Sequence, residues 1–319
     1  MAKICIVLAT YNGEKYLSQM LSSLVAQKRK ADLIIAVDDG SKDSSVEILK
    51  QFQDQLPLKI HVSPQNQGHR AAFEKSLEFA RQQLTPEDLI ALADQDDVWL
   101  PQKLELLEKE IEKPSQGKLP DLVFGDAQVI DSEGNITYTS WRGFAHIDTA
   151  CSMKRQIAGI NNVTGCLCLF RANLLQDILP IPAGVTVHDR WIAMLAERRG
   201  GIVPIDNPVI QYRIHENNAV GGKEPPKMSE TLRLQAQWIQ TLLDHRQKLF
   251  LTPQEIAFGE KFLKITQKRL SSPLQPLALP WLFANRQNLF ITDSFIANLK
   301  RACFSAIGLP LAKKLWGKS

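Results

Sequence analysis

Four short apolar runs rich in β-branched residues, Lys3–Ala9, Asp32–Asp38, Leu58–Ser63 and Asp88–Ala93, alternate with segments whose apolar residues recur at three and four. That alternation is the pattern of parallel strands joined by helical crossovers, and it constrains the chain to an α/β fold. Tyr16–Ala26 and Ala71–Gln83 are the expected sheet-facing helices. Parallel sheets of this kind bind ligands beyond the carboxyl ends of their strands, so the residues that follow each run are the first candidates for function. Here those residues are Thr10-Tyr11-Asn12-Gly13, then Asp38-Asp39-Gly40-Ser41, then Asp94-Gln95-Asp96-Asp97.

At least four carboxylates would thus gather along one sheet edge. Like charges that close raise one another's pKa unless a cation or hydrogen-bond donors offset them. A divalent ion that prefers oxygen, Mg²⁺ or Mn²⁺, meets the need, and such ions take one or two carboxylates and complete their shell with substrate phosphates. Each motif also has an ordinary explanation: Asp-Asp-Gly-Ser suits a turn and a helix cap, and Asp-x-Asp is a common tripeptide. Their joint occurrence after successive strands, at βαβ spacing, is what favours a phosphate-bearing substrate.

Beyond Leu122 the pattern becomes mixed. An apolar run leads into Asp126, and Val129-Ile130 and Ile136–Tyr138 flank a turn of hairpin type. Asn162–Arg171 and Gly201–Arg213 read as further strands about a helix at Arg190–Arg199, and Cys166 and Cys168 would then share one strand face. From Ser229 the reading is helical: Thr231–Phe250, Pro253–Leu270, then a Pro-broken stretch and a basic, apolar end.

Composition excludes several classes. A formal net charge of +4 over 319 residues gives no general affinity for nucleic acid. Five scattered cysteines without paired C-x-x-C clusters argue against a zinc site and for buried thiols in a reducing compartment. No apolar stretch reaches membrane-spanning length and the N-terminus lacks a signal-type cleavage site, so a cytoplasmic protein is expected. No G-x-G-x-x-G follows a strand, which argues against a dinucleotide-dependent oxidoreductase.

The segments Thr10–Gly13, Val37–Asp43, Asn66-x-Gly68 and Leu92–Pro101 resemble family 2 glycosyltransferases of the GT-A fold. The likeness continues through Asn162–Cys166, His188-Asp189-Arg190-Trp191 and Tyr212–Asn218, an arrangement similar to bacterial rhamnosyltransferase-like members, and covers about residues 3 to 220. It implies a GT-A domain over 1–225, with a mixed central sheet; the helical pattern beyond it, outside the resemblance, gives a helical extension over 226–319. The resemblance implies an inverting transfer of a sugar from a nucleotide-diphosphate donor, a dTDP- or UDP-sugar and rhamnose among the candidates, to a hydroxyl of a glycan or lipid-linked acceptor.

By the same resemblance Thr10, Tyr11 and Asn12 line the donor pocket, Asp38 and Asp39 hold the base and ribose, Asp94 sits by ribose and metal, and Asp96 binds the metal. Asp189 is the expected base, although the family's usual Glu-Asp is His188-Asp189 here. His215 would either pack and hydrogen-bond within its loop or ligate the metal or contact the diphosphate, and Arg213 would offset phosphate charge. Trp99 and Trp191 stand beside acidic motifs and are weighed as packing residues or sugar platforms. A nucleotidyltransferase of similar fold is the first alternative, but it would carry a Gly-rich basic loop where this chain has Thr10–Gly13; a non-catalytic binder of the same fold is the second. The C-terminal mixture of Lys300, Arg301, Lys313, Lys314 and Lys318 with Phe304, Ile307, Leu309, Leu311 and Trp316 suits peripheral contact with an anionic membrane.

Overall fold

The computed structural model describes residues 2–115, 117–149, 152–216, 218, 227–290 and 295–316. The chain divides into two compact units. The first comprises Met1–Ala145, Val163–Ile181 and Val187–Lys223; the second comprises His146–Asn162, Pro182–Thr186 and Glu224–Ser319.

The first unit is built on a mixed sheet of nine strands: β1 Ile4–Thr10, β2 Leu33–Asp38, β3 Leu58–Val62, β4 Leu89–Ala93, β5 Val98–Trp99, β6 Leu122–Ile130, β7 Ile136–Tyr138, β8 Cys168–Arg171 and β9 Ile202–Arg213. Their order is β3-β2-β1-β4-β8-β6-β9-β5, with β7 hydrogen-bonded to β6 as the outer arm of the expected hairpin. The first four run parallel and β8 enters antiparallel beside β4. Residues of β1 and β4 from Ile4 to Leu8 and Leu89 to Ala93 are all but inaccessible, because helices cover both faces and leave no polar side for alternation. Glu14–Val25 turns Tyr16, Leu17, Met20, Leu21 and Leu24 inward, and His69–Arg81 does the same with Ala72, Phe73, Leu77 and Ala80.

Register fixes the functional edge. Thr10 pairs with Asp38 and Leu8 with Ala93, so the loops after β1, β2 and β4 emerge side by side. The start of the helix Glu14–Val25 carries no side-chain cap of its own. Its exposed N–H groups are instead met from the loop after β2: Asn12 N donates to Ser41 Oγ at 2.9 Å, Gly13 N to Ser45 Oγ at 2.8 Å and Glu14 N to Asp43 Oδ2 at 3.0 Å. The two loops are thereby one hydrogen-bonded body.

Two local expectations are corrected, and one strand that none foresaw is added. Asn162–Arg171 is not one strand: Gly165–Leu167 forms a 3₁₀ turn before β8, so Cys166 does not share a strand face with Cys168, although both thiols are buried. The two-residue strand β5, too short to show periodicity, pairs with β9. The helix expected to reach Phe250 ends at Asp244, and Leu249 and Leu251 are buried beyond it.

In the second unit the helices Met228–Asp244 and Pro253–Ser271 pack on each other, the latter opened by a Thr252–Glu255 capping box with Pro253 at its first position. Leu282, Ala302 and Ala306 form a small core with Ile265.

Candidate active site

The loop after β4 carries the acids. Gln95 anchors it: its Oε1 accepts from Tyr11 N at 2.8 Å and its Nε2 donates to Tyr11 O at 3.1 Å, a reciprocal clasp that ties this loop to the one after β1. A Cβ on Gly13 would lie 2.4 Å from Gln95 Oε1, which explains the glycine there. Sequence reading passed over Gln95, the middle residue of the acidic motif, because an amide carries no charge signal.

Asp96 and His215 meet as expected, with Nε2 2.9 Å from Asp96 Oδ2, and Asn218 Nδ2 lies 3.4 Å from the same oxygen. Asp94 has a second neighbour that the sequence did not flag: His69 Nε2 is 3.5 Å from its Oδ1. Burial resists ionisation of Asp94, yet the adjacent His69 holds its pKa below the ordinary value. Asp96 is pushed up by burial and by Asp94, with His215 opposing. Asp97 is fully buried and pushed well up by burial, then by Asp96 and Asp94.

These acids thus repel one another, a strain that a bound cation would relieve. Two donor sets are available. Asp94, Asp97 and Cys166 bring ligand atoms within 4.8 Å of one another. However, burial and the two acids push the Cys166 thiol well up, and a protonated thiol is a poor ligand for a hard ion. Asp97 also turns inward, where Oδ1 accepts from Arg213 N at 3.0 Å. Asp96 and His215, a carboxylate and an imidazole 2.9 Å apart at the partly exposed surface of the loop, offer the alternative donors, with Asp94 two residues before Asp96 on the same loop.

Arg213 corrects an expectation. It is fully buried, and its guanidinium donates to Asp96 O at 2.9 Å, Asp131 O at 3.1 Å and Gln19 Oε1 at 2.7 Å, with Tyr16 against its face at 4.5 Å. With its donors so engaged it braces the acidic loop from beneath rather than offering charge to a phosphate.

The residues after β1 and β2 divide similarly. Thr10 and Asp38 are buried against each other at 2.8 Å, and Asp38 also takes Ser41 N at 2.8 Å and Ser41 Oγ at 2.6 Å. Asp39 accepts from Gln67 N and Gly68 N at 2.9 and 2.8 Å, which brings in the Asn66-x-Gly68 segment. Tyr11 is exposed, and Asn12, at φ 46°, accepts from Lys42 N with its side chain. Asp38 and Asp39 therefore build the floor of this edge, while Tyr11 stands open to solvent.

Asp189 lies in the first turn of the helix His188–Arg198, with Oδ2 3.2 Å from Gly165 N. Burial raises its pKa to about 6, against the opposing pull of Arg190 and that hydrogen bond. A carboxylate so poised is suited to take a proton near neutral pH. His188 beside it is buried on Phe73 with ring centroids 4.0 Å apart; its two nitrogens find no hydrogen-bond partner among the described residues and burial lowers its pKa to about 3, so it packs as a neutral ring. Trp99 and Trp191 are both buried, Trp191 Nε1 donating to Ile178 O at 3.0 Å, which excludes either as a sugar platform.

Comparison with known proteins agrees with this geometry. The family model described as "Glycosyl transferase family 2" matches residues 5–179. The dTDP-rhamnosyl transferase RfbG of Shigella flexneri is 27% identical over 228 residues, 67% of this chain and 73% of that one. An uncharacterized glycosyltransferase of Nostoc, alr2836, is 38% identical over 104 residues, 32% of this chain; the match spans only 31% of that protein. Among solved structures, S. aureus TarS 1-349 in complex with UDP-GlcNAc aligns with TM-score 0.57 at 16% identity, over 95% of this chain and 88% of the other. The mannosyltransferase PcManGT of Pyrobaculum calidifontis, in complex with GDP-Man and Mn²⁺, aligns with TM-score 0.54 at 15% identity, over 99% and 88%. Parallel β1 to β4, the acidic loop after β4, and a family model that covers more than half of the chain give one conclusion: this protein belongs to glycosyl transferase family 2 and has the GT-A fold.

Proposed function

We propose that the protein is an inverting, metal-dependent glycosyltransferase whose GT-A domain extends to about residue 225, that Asp94, Asp96 and His215 hold Mg²⁺ or Mn²⁺, and that Asp189 is the base. The observation that carries this reading is the pairing of a self-repelling acidic loop with a separate buried carboxyl whose pKa stands at about 6. Two such environments separate a cation-binding role from a proton-accepting one. In the step envisaged, the acceptor oxygen attacks the anomeric carbon as Asp189 takes its proton. The bond from that carbon to the diphosphate oxygen breaks, and the electron pair leaves with the nucleoside diphosphate. When bound, the metal ion would stabilise the charge growing on that leaving group. Tyr11 and the floor formed by Asp38 and Asp39 would receive the nucleoside. The similarity to RfbG favours a dTDP-linked deoxysugar, and the product would be a cell-surface polysaccharide or lipid-linked glycan.

The test is nucleoside-diphosphate release from UDP-, dTDP- and GDP-sugars with and without Mn²⁺ or Mg²⁺. Turnover of one donor only with metal, and its loss in folded Asp96→Ala and Asp189→Asn, is expected. Unchanged release by Asp96→Ala or in chelator would overturn the metal site.

A lipid-linked acceptor would place the protein at a membrane face, and one surface of the second unit supports this. No helix among the described residues is long and apolar enough to cross a membrane. The helix Phe295–Ala306, however, turns Ala302 and Ala306 inward and exposes Ile296, Leu299 and Phe304 beside Lys300 and Arg301. A groove of about 440 Å³ lies among Phe290, Lys300, Arg301, Phe304 and Ser305. No acidic residue occurs from Phe295 to Ser319, so the face complements an anionic bilayer. The side chains of Lys313 and Trp316, and Lys318 altogether, lie outside the described residues. Sedimentation with phosphatidylglycerol vesicles but not phosphatidylcholine vesicles, lost in Phe304→Glu, is the expected result; equal sedimentation of the variant would refute it.

A further inference from the structure

The short helix Trp141–Ala145 buries no residue, yet it is firmly fastened. Asp126, buried on β6, accepts from Ser140 Oγ at 2.6 Å and Arg142 N at 3.1 Å, which secures the helix start. Arg142 reaches back to Phe124 O at 3.3 Å and Ile205 O at 2.8 Å, pinning the helix to β6 and β9. Five residues cannot hold a helix by themselves; beyond these bonds, the Arg142 guanidinium lies over the buried Phe124 ring at 4.9 Å. A feature held in place by polar anchors while its apolar side chains face outward is shaped for something other than packing.

What it presents is aromatic. Trp141 is partly exposed, with Tyr212 at 4.7 Å and Phe144 at 5.8 Å between ring centroids, and Tyr138 lies 4.4 Å from Phe144. Phe144 and Tyr138 are 40% and 50% exposed, against the burial normal for such rings. The cluster adjoins the candidate chemistry on two sides. Trp141 Nε1 donates to Thr164 Oγ1 at 3.3 Å, and the next residue, Gly165, gives its N–H to Asp189. Tyr212 precedes Arg213 and is within electrostatic reach of Asp97 and Asp94.

Sheet order separates this wall from the nucleoside side. Thr10, Asp38 and Asp39 follow β1 and β2, on one side of β4, whereas Trp141 and Tyr212 belong to the β6–β9 side. A ring bound here beside Asp189 is on the side from which the attacking hydroxyl must come. We infer that Trp141, flanked by Tyr212 and Phe144, forms the acceptor subsite and stacks on the apolar face of an acceptor pyranose, so that the acceptor is a glycan rather than a bare lipid or polyol phosphate. This inference rests on the transferase reading given above. An aromatic plane offers a large contact area at low entropic cost, and the Nε1 bond to Thr164 fixes the orientation of that plane.

The test measures nucleoside-diphosphate release against two variable concentrations: the donor found active, and a panel of methyl α- and β-pyranosides and disaccharides of gluco, manno, rhamno and N-acetylglucosamine configuration. Wild type is expected to be accelerated by a subset of pyranosides with saturation. Trp141→Ala should raise the saccharide KM at least tenfold while donor KM stays within twofold, in keeping with the factor of about 5 to 150 that one aromatic stack carries elsewhere. Trp141→Phe should restore most of that loss, which a merely structural indole would not predict. Thermal melts of both variants establish that they fold, and Phe144→Ala, which removes an exposed ring, gives a milder rise if Trp141→Ala does not fold. An unchanged saccharide KM in these variants, or an equal rise in donor KM, overturns the subsite. Donor-only release with no acceleration of wild type by any pyranoside overturns it too. Absence of any donor turnover by wild type instead overturns the transferase reading, and the subsite with it.

Discussion

Replacement of Asp189 by Asn should make the protein inactive and, at neutral pH, more stable. Folding moves this carboxyl from an ordinary 3.8 to about 6 because burial disfavours its charge. The folded protein therefore keeps the proton to higher pH than the unfolded chain does. The favourable contribution is complete below about pH 4 and is lost as pH rises through about 6. At pH 8 the ionised carboxylate costs the fold up to about 3 kcal/mol, the equivalent of two pKa units and a little more. Its 9% exposure means that little of this is screened by solvent. An asparagine carries no charge at any of these pH values, and its Oδ1 preserves the acceptor for Gly165 N. Melts of wild type and Asp189→Asn, taken metal-free at pH 4 and pH 8, should differ by about 5 °C in favour of the variant at pH 8 and converge at pH 4. Asp94 and His69, which feel the Asp189 charge, shift with it, while groups that do not feel it cancel in the difference. A variant no more stable than wild type at pH 8, or one whose advantage is the same at both pH values, would refute the assignment of a raised pKa to this residue. In the wild type, release of nucleoside diphosphate should fall with unit slope below about pH 6, as the base becomes protonated.

Other expected outcomes concern the scaffold of the site. Gly13→Ala should push Gln95 from the loop after β1, lowering stability by about 1–3 kcal/mol and weakening nucleotide binding in calorimetry; Gln95→Ala in the same chain should relieve the strain. Asp39→Ala strips the N–H groups of Gln67 and Gly68 of their acceptor and should cost about 1–3 kcal/mol by denaturant unfolding, together with donor affinity. Arg213→Lys keeps the charge but loses the fork that spans Gln19, Asp96 O and Asp131 O, so metal affinity measured by calorimetry should drop at least tenfold although Arg213 touches no ligand. Thr252→Ala removes a capping box remote in sequence from the candidate site and should lower stability by about 0.5–2 kcal/mol with kcat/KM unaffected.

The parts of this architecture that were legible before the structure share one property: their signal is local. The runs that become β1 to β4 are apolar because both faces are covered, and Asp38, Asp94 and Asp96 follow strand ends by a rule that needs no tertiary information. Asp96 against His215 was readable only through the family resemblance, since 119 residues separate them. What escaped was set by partners distant in sequence and by uncharged atoms. Arg213 looked like a phosphate ligand because a cation beside an acidic site usually faces the substrate; here its acceptors are backbone carbonyls, which no sequence advertises. Trp99 and Trp191 adjoin acidic motifs and were open to either packing or sugar stacking; strand and helix geometry turns both rings into the core.

Two aromatic residues that do face solvent, Tyr138 at the end of β7 and Phe144, flank a stretch where five helical residues are held by Asp126 and Arg142. Proximity in sequence to an acidic motif is thus a poor guide to which ring meets a ligand. The fastening of an otherwise unsupported element is the better one, because hydrogen bonds spent on holding exposed apolar rings in place return nothing to the core. On that reasoning Asp126→Ala should abolish the saccharide dependence of release as thoroughly as Trp141→Ala, although Asp126 is buried and its side chain is engaged with Ser140 and the backbone. Saccharide KM in the two variants is the comparison that decides it. A normal KM in a folded Asp126→Ala would mean that the short helix stands without its anchor, and the case for it as a purpose-built platform would fall.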